Sequence, residues 1–189
     1  MRRHAASSLA VLVLLLSGGC FGRHAPQIRY YTVAISAGGS AHLPFAVRVG
    51  VFGAAPPYRT TRIALRRSRY RLDYYDFNRW AANPQSLLAA AVQNYFDRIG
   101  TPNAPHPITV SGRIDRLEAV EHGGGLRAVA AITFDAQGRE ESLLQRSYVE
   151  KVPVDGDEPE QVVSALSTAL DRVLDRFAAD LVAAQPVVQ

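Results

Sequence analysis

Apolar residues recur along this chain with two periods, and the change between them falls at one place. Up to about residue 74 they alternate every second position, as in a strand with one buried face. From Leu87 to Ile99 they return every three or four, as on one side of a helix. The stretch between, residues 72–84, holds the only tryptophan, Trp80. It predicts a strand running into a loop and then into a helix start.

The other elements follow from the same pattern. Residues 29–36 are rich in β-formers and predict a first strand. Phe45, Val47, Val49 and Val51 alternate with Ala46, Arg48 and Gly50 as a second, broken over 53–57 by Gly and Pro. Residues 62–65 and 70–74 flank Arg66-Arg67-Ser68-Arg69 as a hairpin, with Tyr70, Leu72 and Tyr74 on one face. Asn83 and Pro84 supply an N-cap and a first helical position. Leu87, Leu88, Ala91, Val92, Tyr95, Phe96 and Ile99 form that helix's apolar stripe, and Gly100 and Pro102 end it.

A β-meander comes next. Ile108, Val110 and Ile114 share one parity, Leu117 and Ala119 the other, which predicts a bulge near Asp115-Arg116. A flexible turn over 121–125 leads to a return strand over 126–134. A second turn at Gln137-Gly138 leads to a third strand over 143–152. Asp157-Glu158-Pro159 opens a last helix with the stripe Val163, Leu166, Leu170, Val173, Leu174, Phe177 and Leu181. Residues 185–189 are expected to be a disordered tail. The fold class predicted is α+β: a mainly antiparallel sheet of about six or seven strands with two amphipathic helices packed on one face.

The N-terminus has its own pattern. Met1-Arg2-Arg3-His4 is basic, residues 9–16 are an unbroken apolar run, and Ser17-Gly18-Gly19 leads to Cys20. The run is too short for a permanent membrane span but suits a secretory signal. Small residues before the only Cys resemble a bacterial lipobox, with Ser17 where that pattern has Leu. Residues 1–19 are therefore expected to be a lipoprotein signal peptide, Cys20 the lipid attachment site, and 20–28 a tether. An ordinary signal peptide with a leftover thiol is the other reading. A single domain is expected over 29–184.

Composition changes this picture little. A hydrophobic fraction of 48% suits a globular chain, and a net charge of +4 is too small to suggest nucleic-acid binding. Six Arg crowd between residues 59 and 71. They mark either an anionic partner or a solvated sheet face whose charges discourage edge pairing. The second is favoured, because no stacking aromatics interleave with them on the same face. His4, His24, His42, His106 and His122 show no metal-ligand spacing. No nucleophile elbow or P-loop occurs, and Gly123-Gly124-Gly125 lies between strands as a turn. Asp73 and Asp76 could form a carboxylate pair, but nothing nearby would raise one pKa selectively. No enzymatic activity, metal or cofactor is expected.

Several motifs resemble one family, the ABC-type transport auxiliary lipoproteins, PqiC-like periplasmic lipoproteins of MCE lipid-transport systems. Tyr30-Tyr31-Thr32-Val33 is similar to its Tyr-Tyr-x-Leu opening, with Val33 in place of Leu. Residues 47–51 and then 58–66 are similar to its strand-and-hairpin block. Leu72-x-x-Tyr75, Arg79-Trp80-Ala81 and Pro84-x-x-Leu87-Leu88 resemble its central signature. The resemblance spans about residues 29–182.

It implies an outer-membrane lipoprotein facing the periplasm. Its partners would be an MCE-domain substrate-binding protein and an ABC permease and ATPase complex that moves lipids or other hydrophobic molecules. Phe21 after Cys20, where no Asp signals inner-membrane retention, favours the outer membrane by the same analogy. Tyr74, Tyr75, Arg79 and Trp80 are the candidate partner-binding residues, since aromatics and Arg anchor interfaces. Trp80 has a second reading as core. A direct lipid-binding module and a structural envelope lipoprotein are the rival classes, and self-association stays open.

Overall fold

The longest strand, β5 (Ile108–His122), is the spine of the sheet. The computed structural model describes residues 26–36, 42–139 and 141–184. One edge of β5 carries β6 (Gly125–Gln137) in an antiparallel ladder that begins at His122–Gly125. The other edge is shared. β2 (Val47–Ala54) runs parallel beside its first half, from Val47 opposite Ile108 to Ala54 opposite Ile114. β3 (Arg62–Arg66) runs parallel beside its second half, from Ala64 opposite Glu118 to Arg66 opposite Val120. β2 and β3 thus act as one strand interrupted by an excursion over 55–61.

Beyond β3 lies β4 (Leu72–Trp80), antiparallel to it, and then the short edge strand β1 (Arg29–Tyr31), parallel to β4. β7 (Ser142–Pro153) closes the far edge, antiparallel to β6. The result is a seven-stranded mixed sheet. The long ladders are antiparallel, as expected, but β1, β2 and β3 each have a parallel neighbour. Alternation fixes which face a residue takes and says nothing of strand direction.

Two helices lie on one face. α1 (Pro84–Ile99) packs on β2, and α2 (Pro159–Ala183) packs across β6 and β7. Each presents its predicted stripe. Phe134 of β6 stacks on Phe177 of α2 with ring centroids 4.2 Å apart, and Phe96 of α1 meets the same Phe177 edge-on at 5.9 Å. Tyr148 of β7 joins this group. All four rings are 0–1% exposed. Tyr95 donates from its hydroxyl to Asp175 at 2.7 Å, tying α1 to α2.

Several local expectations meet the structure in detail. The bulge predicted at Asp115-Arg116 appears as a register shift between Ile114 and Arg116. The turn expected over 121–125 is tighter than that. Only Gly123 and Gly124 connect β5 to β6, with φ of +59° and +81°. Positive φ at both central residues matches the right-handed twist of the flanking strands. Gly124→Ala is therefore expected to cost about 1–2 kcal/mol, the penalty for an L side chain at positive φ. Urea unfolding would show it as a lower midpoint with an unchanged slope.

The expected first strand over 29–36 is corrected to Arg29–Tyr31. Beyond it the chain leaves the sheet for α2, where the Ala34 N–H donates to Ser167 Oγ at 3.1 Å and the Ser36 N–H to Asp171 at 2.9 Å. The expected loop after residue 74 is also corrected, because β4 continues to Trp80. Tyr70 lies in the hairpin turn, outside the strand, and is 90% exposed. Asn83 takes the N-cap position of α1, but its side chain makes no capping hydrogen bond. Glu158 is the N-cap of α2, and its N–H is met by Gln161 Oε1 at 3.0 Å.

Candidate functional site

The junction of β4 and α1 lies between two neighbours that hold it. The Trp80 N–H donates to Thr61 O at 2.6 Å, and the Ala81 N–H donates to Tyr31 O at 2.7 Å. Side chains opposite one another in a ladder share a face. Tyr30 stands opposite Arg79, and Arg79 opposite Arg62, so these three line one face across three strands. That face is the one away from the helices. Arg62 lies over the Tyr74 ring at 5.1 Å and pairs with Asp76 at 3.0 Å.

The candidate residues separate here. Trp80 is 2% exposed, so its indole belongs to the core and offers no surface. Tyr74 is half-buried, packs under Arg62, and donates to Pro57 O at 2.9 Å. Tyr75, one residue on, turns to the opposite face. It lines a groove of about 820 Å³ with Leu65, Leu126 and Val154, bordered by Arg67, Glu121 and Asp157. Burial pushes its phenol pKa up. Arg79 shares the outer face with Tyr30. Its Nε is covered and meets no acceptor. It forms no ion pair among the described residues. Cys20 lies outside the described residues.

Beneath this face sits a cluster that sequence reading missed. Glu118 of β5 is fully buried. It faces away from the helices, yet Tyr58, carried on a 3-10 turn (Pro56–Tyr58), covers it. The Tyr58 hydroxyl donates to Glu118 Oε2 at 2.7 Å. Arg66 Nε donates to Oε1 at 2.9 Å, and Arg116 Nε to the same oxygen at 2.8 Å. Burial pulls the Glu118 pKa upward, but hydrogen bonds from Arg66, Tyr58 and Arg116 outweigh it and hold it below the ordinary value. Burial, then the bond to Glu118, raises the Tyr58 pKa. An acid between Leu117 and Ala119 was the available signal, with Arg116 two residues away on the same face. Its partners Tyr58 and Arg66 come from the 3-10 turn and from β3.

A second groove, of about 740 Å³, runs between α2 and the edge of β1 that pairs with no strand among the described residues. Tyr30 and Thr32 form one wall; Glu160, Ser164 and Thr168 form the other. The layer between helices and sheet is filled by the aromatic group described above. Among the described residues no cluster of three or more His, Cys, Asp or Glu side chains is placed to hold a metal. Among them, too, no helix is long and apolar enough to cross a membrane.

Comparison with known proteins follows the fold. The family model for the ABC-type transport auxiliary lipoprotein component matches residues 32–178. No curated protein matches the chain. A crystal structure of a Xanthomonas campestris protein of the DUF330 family model is similar, with a TM-score of 0.73 and 16% identity. The match covers 82% of this chain and 96% of that one. A crystal structure of an uncharacterised protein is similar at a TM-score of 0.67 and 10% identity, covering 82% of this chain and 99% of that one. At such identities the likeness speaks for the fold.

Proposed function

We propose a role from one premise: the chain belongs to the ABC-type transport auxiliary lipoprotein family. It serves as a membrane-anchored accessory subunit of an ABC-type transport system in the bacterial envelope. The match over residues 32–178, most of the chain beyond the tether, is the observation that carries this reading. In finer terms, residues 1–19 are removed, Cys20 is acylated, and the domain from 29 to 184 faces the periplasm from the outer membrane. There it docks the MCE-type substrate-binding component of a system that moves lipids or other hydrophobic molecules. It works without catalysis. The aromatic group Phe96, Phe134, Tyr148 and Phe177, packed between helices and sheet, supports docking over lipid uptake into the core.

Acylation is tested directly. Cells fed a labelled fatty acid should mark the wild-type protein and leave Cys20→Ser unmarked. Replacing residues 1–20 by an ordinary cleaved signal peptide should release the protein from the membrane fraction, because no helix among the described residues is long and apolar enough to cross a membrane and the lost acyl chains contribute about 0.8 kcal/mol per buried methylene. Separation of inner and outer membranes then assigns the membrane. Co-purification of wild-type protein with an ABC ATPase and permease tests the transport role. Their absence from the detergent-solubilised complex, with the protein itself abundant, would overturn it.

A further inference from the structure

We infer that the free edge of β1, with the Arg79 face beside it, is where an extended acidic segment of a partner protein adds as an eighth strand. The inference rests on the accessory reading above and gives it a surface.

Edge geometry comes first. Tyr31 O accepts from Ala81 N–H, so the groups of Tyr31 point toward β4. N–H and C=O directions alternate along a strand, so those of Tyr30 point the other way, to the free edge. That edge opens on the groove of about 740 Å³ in front of α2, which gives an added strand room. Unpaired edges are templates for such addition. β1 has the devices that usually prevent it in weak form only: it is short, but has no Pro or bulge within Arg29–Tyr31.

Charge then selects the segment. A residue added opposite Tyr30 falls in the row Tyr30, Arg79, Arg62 and shares its face. In that row Arg62 has Asp76, but Arg79 has no carboxylate among the described residues and carries a covered, unmet Nε. A carboxylate from the incoming strand would pair with the partly exposed Arg79 side chain in a charge-assisted bond. Tyr30, 66% exposed at the centre of the edge, provides the aromatic anchor. The residues on either side of that carboxylate turn toward Glu160, Ser164 and Thr168, where small or basic side chains fit.

The test uses the full-length lipoprotein in its native cells. p-Benzoylphenylalanine replaces Tyr30 in one strain and Ser147, on the far side of the sheet, in another. The adduct is mapped by mass spectrometry. Expected is a protein adduct at position 30 and none at 147, within a segment carrying Asp or Glu. Arg79→Glu should cut its yield about tenfold, the effect of reversing one charge-assisted pair, while Arg79→Lys keeps most of it. Both variants must melt like the parent. Changing the partner's acid to Arg should restore the adduct with Arg79→Glu. No adduct at 30, a lipid or second-copy adduct, a helical target, or indifference to Arg79→Glu overturns the inference. A charge-swap rescue with a partner outside any ABC transport system would keep the inference and defeat the accessory reading.

Discussion

Trp80→Ala is expected to destabilise the domain by about 3–5 kcal/mol, the usual cost of emptying a large aromatic site in a core. The indole is 2% exposed at the end of β4, where the Trp80 N–H donates to Thr61 O and the Ala81 N–H to Tyr31 O. Nothing can collapse easily into its place, because β4 must end there for α1 to begin at Pro84. A thermal melt should fall by roughly 10 °C, given about 2–4 °C per kcal/mol for a domain of this size. Arg79→Ala, next to it, should move the melt by no more than about 1 kcal/mol equivalent, as for a surface substitution. The pair therefore separates folding from docking. Loss of partner binding in Trp80→Ala reports on the fold, whereas loss in Arg79→Ala reports on the surface. An unchanged melt for Trp80→Ala would contradict the buried placement.

Glu118→Ala should cost about 3 kcal/mol. Removing one partner of a buried charged cluster costs 3–5 kcal/mol when the rest stays buried, and the partly exposed Arg66 and Arg116 lower that figure by reaching water. Glu118→Gln keeps the shape but loses the charge, so it should fall between Ala and wild type. The pH dependence has a definite sign. The folded-state pKa of Glu118 is depressed, so its charged form is the stabilising one. That contribution is fully present above the unfolded glutamate pKa of about 4.3 and is lost as pH falls through the lower folded value. Wild type should lose stability on acidification below about pH 4 more steeply than Glu118→Gln. Parallel acid profiles for the two proteins would show that the cluster is neutral to stability.

These two sites differ in how far the sequence revealed them. Trp80 could be placed at a strand-to-helix junction from the change of period, and its core reading was open from composition alone. Glu118 could not be understood that way. Its partners Tyr58 and Arg66 meet it only because the chain leaves β2, crosses the outer face and rejoins the same edge of β5 as β3. The bulge at residues 114–116, by contrast, was visible as a parity shift, since a single extra residue exchanges the two faces of a strand.

The sequence by itself determined the two helices with their buried stripes, the β-meander and the family, but not the extent of the strands before residue 84. What it determined depends on periods of two and 3.6, on local turn chemistry and on short motifs, all of which are written in neighbouring residues. Only the tertiary structure decided which strands run parallel, and that residues 32–36 cross to α2 instead of extending β1. For Arg79 it left a guanidinium with no carboxylate among the described residues, beside an open edge. Each of these depends on partners dozens of positions away, brought together by pairing that no local pattern encodes.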